Sequence, residues 1–508
     1  MHAKSGARSR TLAARTSRVP PRSFPADNAA PQTSFDRDIG QLDRAVNDLR
    51  RRAPDFSAAS PLLLWQRAAL FVFLALLVAG LVLFDDFGLV LWSLTIALPF
   101  LMITALRVAA LWRAFGRRER RPHPSWLDRR YDDRLPTFSV LIPLYREVAM
   151  VPQLVEAMGE IDYPEDRVEF LFVTEADDSA TRNALGRAHL RANMRVVTVP
   201  NGQPKTKPRA LNYALQNARG AFVAVFDAED HPAPDQLRLA AIAFVRGGPR
   251  LACVQARLAI SNPDDSFFSR QFTLEYSALF RGLLPALDYL RLPIPLGGTS
   301  NHFRRDVLVR CGGWDPFNVT EDADLGIRLA RLGYDVSLIN SETMEEAPVT
   351  WRIWRGQRTR WIKGWMQTYL VHMRRPFRLW RDLGGWRFCG FQVTITAMLI
   401  SMLVHPWFYI FAGSSWFSSG RIFPESEALL WLFGANLVAG YTSAALLILV
   451  TSARSRLTGR FLSVLGLPIY WLAVSYAAYC AALDLIRRPH FWEKTTHGEA
   501  RESRVRAR

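Results

Sequence analysis

Two uncharged apolar runs separated by a pair of aspartates constrain this chain more than any other feature. Ala68 to Phe84 is 17 residues without a charge, and after Asp85 and Asp86 a second run extends from Phe87 to Leu106. As helices rising about 1.5 Å per residue they reach roughly 26 and 30 Å, close to the thickness of bilayer hydrocarbon, where only a segment that satisfies its own backbone hydrogen bonds is stable. Residues 61–112 are therefore expected to form a transmembrane hairpin. Arg67 and a basic segment precede it, Arg107, Arg113, Arg117, Arg118, Arg120 and Arg121 follow, and only two acids lie between the runs. Cytoplasmic loops favour cations, so both ends of the hairpin are expected in the cytoplasm.

Residues 1–60, rich in Arg, Ser, Ala and Pro, read as a disordered basic cytoplasmic region. From about 135 the pattern changes to short strand-like runs alternating with helical ones (FSVLIPLY, VEFLFVTE, MRVVTVP, AFVAVFDAED, LACVQARL), which predicts a soluble α/β domain with a largely parallel sheet over 135–375. Residues 376–387 are basic and aromatic, as suits a cytoplasmic membrane interface. Two transmembrane helices are expected in 388–450. Residues 461–487, broken by Pro468, read either as a kinked interfacial helix or as a fifth span. The interfacial reading keeps the basic tail, 488–508, in the cytoplasm, and gives a multi-pass protein of a bacterial-type inner membrane.

The 64 basic and 46 acidic residues leave a net charge of +18. That excess concentrates beside the apolar runs, which points to anionic lipid and excludes nucleic acid as the partner. Cys253, Cys311, Cys389 and Cys480 stand too far apart for a zinc pair and are expected as free thiols.

In α/β domains ligands gather at the carboxyl ends of strands. FLFVTEADD ends one strand with Glu175, Asp177 and Asp178, suited to a base or ribose, and TKPRAL sets Lys205, Lys207 and Arg209 before a helical run, suited to phosphate. FDAED ends another strand with Asp227, Glu229 and Asp230, oxygen ligands for a hard cation such as Mg2+ or Mn2+. An isolated DxE is also what a solvated acidic turn looks like; its weight comes from its company. Thr320, Glu321 and Asp322 open a helical run with Thr320 as N-cap, and an aspartate there suits a base that takes a hydroxyl proton. Gln357, Arg358, Arg360 and Trp361, in QRTRW, join donors for a diphosphate to an indole face for a sugar ring.

Taken in order, these motifs over about residues 135 to 500 resemble the membrane-embedded, processive, inverting glycosyltransferases of family 2, the cellulose synthase and hyaluronan synthase group. The resemblance implies a cytoplasmic GT-A (Rossmann-like) domain inserted between transmembrane helices. Such an enzyme transfers sugar from a UDP-sugar, here expected to carry glucose or N-acetylglucosamine, to a growing β-linked exopolysaccharide. Transfer of one sugar to a lipid acceptor is the alternative, and a non-catalytic membrane scaffold the second. By motif, Glu175, Asp177, Asp178, Lys207, Gln357, Arg358 and Arg360 would bind the nucleotide sugar, and Asp227 with Glu229 the metal. Asp322 would be the general base, and Trp361, Glu321 and His302 would face the acceptor. The DxE stands where the family has DxD, and EADD where it has DDG. RRPHFWEKTTHG resembles the family's gating loop, with Trp492, Lys494 and Thr495. Four or five helices are few for a pore, which leaves room for a homodimer or an accessory export subunit.

Overall fold

The structure, a computed structural model, describes residues 34–60, 63–83, 85–116, 129–417, 427–454 and 458–491. The strands are β1 (Phe138–Leu144), β2 (Val168–Glu175), β3 (Met194–Val199), β4 (Phe222–Val225), β5 (His231–Pro232), β6 (Leu251–Ile260), β7 (Asn301–Arg304) and β8 (Asp335–Glu345). They form one mixed sheet in the order β3-β2-β1-β4-β7-β6-β8-β5. β1 runs parallel to both β2 and β4, while β7 is antiparallel to its neighbours β4 and β6. The parallel half brings the carboxyl ends of β1, β2 and β4 to one edge, which is what collects Glu175 and Asp227 there.

Continuous apolar strands demand cover on both faces. Phe138, Val140, Ile142 and Phe172 pack under one layer, and Leu141, Val173, Val223 and Val225 under the other. Each such buried side chain contributes about 1.5–3 kcal/mol relative to leaving it in water. The covering helices are α4 (Val151–Gly159), α5 (Ser179–Arg187), α6 (Lys207–Leu215), α7 (Gln236–Gly247), α8 (Phe267–Ala278), α9 (Leu284–Tyr289), α10 (Arg305–Arg310), α11 (Glu321–Arg331) and α12 (Trp351–His372). Before them stand α1 (Ser34–Arg52), α2 (Leu64–Leu83) and α3 (Asp85–Gly116), and after them α13 (Pro376–Phe391), α14 (Met398–Phe417), α15 (Glu427–Arg454) and α16 (Leu467–Arg487).

Residues 34–60 correct the expectation of disorder. Helix α1 buries Ala45, Val46 and Leu49, and Asn212 of α6 and Gln216, the residue that caps its end, donate to the carbonyls of Ala45 and Gln41 at 3.0 and 2.9 Å. Its apolar stripe is short and set among charges, so it orders by docking rather than alone. Phe56 follows it into the core beneath the Arg331 guanidinium, 4.6 Å away.

Among the described residues, four stretches are long and apolar enough to cross a membrane: Ala97–Phe115, Pro376–Ile410, Trp431–Ala453 and Leu462–Arg487. Helix α2 spans 20 residues beside them. Both ends of α16 touch the α/β domain. Gln271 of α8 donates to Ser463 O at 2.6 Å just before it, and Lys363 of α12 donates to Phe491 O at 2.7 Å just after it. Between these anchors Tyr470, Val474, Ala477 and Ala481 pack in one cluster with Trp354 and Ile362 of α12. The four cysteines are free.

Candidate active site

Glu175 closes β2 and pairs with the Arg209 guanidinium of α6 in a buried contact. Burial raises the carboxyl above its ordinary range, against the pull of Arg209. Asp177 lies outside this pair and meets Lys205 at 2.5 Å, which holds its carboxyl below the usual range. Asp178 is committed to the backbone: it caps α5 by accepting from Thr181 N at 3.2 Å and accepts from Arg146 N at 2.5 Å. The structure therefore corrects the reading of Asp178 as a nucleotide contact.

The β4 end carries the densest charge. Lys207 Nζ donates to Asp227 Oδ1 at 2.5 Å and to Gly298 O at 2.8 Å. Burial would lower the Lys207 pKa, but Asp227 and Glu321 outweigh it, and the ammonium is held charged. Asp230 turns into the protein, where it accepts from Asp227 N at 2.7 Å and from the Thr299 hydroxyl. Glu229 instead lines the cavity. Burial and the charge of Asp227 push it up to about 8. Of the two acids that follow Asp227 in the motif, Glu229 is thus the one open to a ligand. Among the described residues no three His, Cys, Asp or Glu side chains are grouped to hold a metal by themselves. Two neighbouring acids, one of them raised by burial and by the other's charge, nevertheless suit a divalent cation that would displace the proton and take its remaining oxygens from a substrate.

Across the cavity, Glu321 and Asp322 open α11. Asp322 Oδ1 accepts from Ala323 N at 2.8 Å, and a Cβ on Gly298 would stand 3.3 Å from Asp322 Oδ2 and 3.9 Å from Lys207 Nζ. A side chain at residue 298 would therefore crowd Asp322, which would have to give by a few tenths of an ångström. Burial raises both carboxyls, Glu321 to about 7 with Asp322 adding to it. Thr320 stands at the cap position, but its side chain makes no cap bond; it packs under Gly364 of α12 instead.

Helix α12 delivers the QRTRW residues in two directions. Arg360 faces the carboxylates Glu321, Asp227 and Asp322, the charges that counter its burial. Arg358, two residues earlier, turns away: it meets Glu275 through both terminal nitrogens at 2.7 and 2.6 Å and Tyr470 at 2.9 Å. It lines the cavity at the Glu275 and Tyr470 wall, apart from the carboxylates that Arg360 faces and where the motif expected it. Trp361 lines the cavity against Phe272, ring centroids 5.7 Å apart, and Gln357 lines it too. His302 does not reach the cavity. It is fully buried on β7, bonded through Nδ1 to Val254 O at 3.2 Å and flanked by Phe138 and Phe226. It is a core residue, not an acceptor contact. Trp492, Lys494 and Thr495 lie outside the described residues.

Sequence reasoning missed Glu345, which lines the same cavity and is pushed up to about 8 by burial while bonded to Tyr276. The signal was present: it too is an acid at a strand end, on β8.

Lys207, Asp227, Glu229, Glu321, Asp322, Glu345, Gln357, Arg360 and Trp361 open into one cavity of about 530 Å³, which Asp177, Asp178, Asp230 and His302 do not line. One part is lined by Asp227, Glu229, Glu321, Asp322 and Arg360, another by Leu283 and Leu287, and the far part by residues of α3, α14, α15 and α16.

A family model described as "Glycosyltransferase like family 2" matches residues 136–364. A probable glycosyltransferase, YdaM, of Bacillus subtilis is 28% identical over 51% of this chain and 61% of its own length. A beta-monoglucosyldiacylglycerol synthase of Trichormus variabilis is 28% identical over 55% of this chain and 60% of its own. A probable glucomannan 4-beta-mannosyltransferase of Oryza sativa is 25% identical over 58% of this chain and 52% of its own. The chain thus spans little more than half of each of these relatives. The carboxylate and arginine residues just described fall within the stretch that matches the family 2 glycosyltransferase model, and apolar helices border that stretch.

Proposed function

We propose that this protein is an inverting, nucleotide-sugar-dependent hexosyltransferase whose acceptor comes from the membrane. The observation that carries the reading is the single cavity shared by the carboxylate cluster and the apolar helices. UDP-linked glucose or N-acetylglucosamine are the donors to try first. Asp322 takes the proton of the acceptor hydroxyl as its oxygen bonds to C1 and the bond from C1 to the diphosphate breaks. Lys207 and Arg360 balance the negative charge of the departing diphosphate. Asp227 and Glu229 would hold Mg2+ or Mn2+, whose chemistry is to neutralise diphosphate oxygens. One in-line displacement inverts C1, so an α-linked donor gives a β-linked product.

The apolar lining by Leu279, Leu283, Leu287, Met402 and Ile448 supports a lipid acceptor, as in the relative named as a glucosyldiacylglycerol synthase. A second reading, extension of a β-linked exopolysaccharide, is favoured by Trp361, Trp365, Tyr470 and Trp471 in the same cavity, whose ring faces suit sugars. The basic flanks support a cytoplasmic domain. Contacts of both α16 ends with that domain support an interfacial helix beside four spans, α2, α3, α14 and α15. The deciding experiment is nucleotide release by the full-length protein in vesicles with Mg2+ or Mn2+ across a panel of nucleotide sugars, followed by product analysis. A one-sugar lipid is the expected product, long polymer selects the second reading, and no turnover with any donor overturns both.

A further inference from the structure

The cavity has a second polar region that the transfer chemistry leaves unused. Arg107 of α3 lines it, with Ser401 and His405 of α14 and Trp471 of α16. Arg107 donates to Gly440 O at 3.1 Å, and its guanidinium lies 4.9 Å from the Trp471 ring. No carboxylate among the described residues neutralises it. His405 is 2% exposed and paired through Nε2 with the Tyr441 hydroxyl at 2.8 Å, while its Nδ1 has no partner. The Ser401 hydroxyl is likewise buried and unpartnered. A cation and two idle polar groups inside apolar helices are costly unless a ligand meets them.

The surrounding apolar helices suggest which ligand. Arg107 lies nine residues before the end of α3 at Gly116, about 14 Å along the helix. It ends the uncharged run Phe87–Leu106 and lies within Ala97–Phe115, the part of α3 long and apolar enough to cross a membrane, so what meets it there comes from among the acyl chains or down the cavity. We infer that Arg107, Ser401 and His405 bind the phosphate of a membrane lipid that enters from the adjoining leaflet, with its head group along the cavity toward Asp322. The inference rests on the proposed function only in taking the cavity as the acceptor's path; its own content is that the lipid is anionic. A guanidinium, a hydroxyl and an imidazole nitrogen match phosphate oxygens, which a neutral diacylglycerol lacks.

The test needs no donor sugar and no turnover, so it stands or falls apart from the transferase reading. Full-length protein in a neutral detergent is titrated with phosphatidylglycerol and, separately, with diacylglycerol of the same chains. Phosphatidylglycerol is expected to bind about tenfold more tightly. Arg107→Gln should erase that preference, Arg107→Lys should keep most of it, and Arg381→Gln, on the exposed basic segment, should leave it intact. Equal affinity for the two lipids in the unaltered protein overturns the inference, as does an undiminished preference in folded Arg107→Gln. If that variant does not fold, sn-glycerol 3-phosphate is competed against phosphatidylglycerol on the unaltered protein. Failure to displace the lipid at equal concentration is the expected result, and displacement would overturn the lipid as the source of the phosphate.

Discussion

A Cβ on Gly364 would stand 2.3 Å from Oγ1 of Thr320, so α12 meets the turn before α11 where only a hydrogen fits. That contact joins the two halves of the site, since Arg360 lies one turn before Gly364 and Asp322 two residues after Thr320. Gly364→Ala should push the helices apart, costing about 1–3 kcal/mol of stability as an overpacked core position does. It should also lower kcat about tenfold or more, because a small misplacement of a proton acceptor is expensive. Thermal unfolding and turnover measured together check this; a destabilised variant with full kcat would mean that the strain relaxes away from Asp322.

Asp322→Asn removes the proton acceptor and keeps the shape. Transfer should fall about 10²- to 10⁴-fold, while nucleotide binding, governed here by Lys207 and Arg360, stays within a few-fold. Calorimetric titration of the nucleotide beside a transfer assay separates the two, and normal turnover would remove Asp322 from its role.

The carboxyl cluster makes stability depend on pH in a stated direction. Burial and the charges of Asp227 and Asp322 push Glu229 up to about 8 and Glu321 up to about 7, against an ordinary value of 4.5. The folded state therefore holds these protons more tightly than the unfolded chain does. The stabilisation they give is complete below pH about 4.5 and is lost as pH rises toward 8. In buffer free of nucleotide and divalent cation, Tm should fall between pH 5 and 8, and Glu229→Gln should flatten the slope by removing one proton from the balance. Added Mn2+ should restore Tm at pH 8 in the parent protein and less in Glu229→Gln; the same recovery in both would argue against Glu229 as a ligand.

Much of this site was legible because strand ends and helix starts are local events. A run such as AFVAVFDAED announces both the strand and the acids it presents, and the α/β alternation carries the fold class with it. Long-range partners were not legible. Nothing near Arg358 in sequence says that Glu275, 83 positions away, takes both its terminal nitrogens. Nothing near His302 says that Phe138 and Phe226 enclose it. Helix α1 was missed for the same reason: its apolar stripe is too short to read alone and becomes a helix face only against α6. Asp178 was misread because an aspartate before a helix serves equally as cap or ligand until its acceptor oxygens are counted.

Arg358 and Arg360, two residues apart on one helix, should therefore fail differently. Arg358→Ala strips Glu275 and Tyr470 of their partner at the junction of α8, α12 and α16. Glu275 keeps 36% of its side-chain surface in solvent, so the cost is below that of a fully buried pair, about 1–3 kcal/mol. Donor KM should stay within about twofold, because the guanidinium points toward α8 and α16 rather than to the carboxylates. Arg360→Ala should do the reverse. It removes a cation that faces Asp227, Glu321 and Asp322, so donor KM should rise about tenfold, the scale of one charge-assisted contact, with Tm little changed. A rise in donor KM as large in Arg358→Ala as in Arg360→Ala would show that Arg358 leaves Glu275 when nucleotide binds, and would return it to the donor site where its motif first put it.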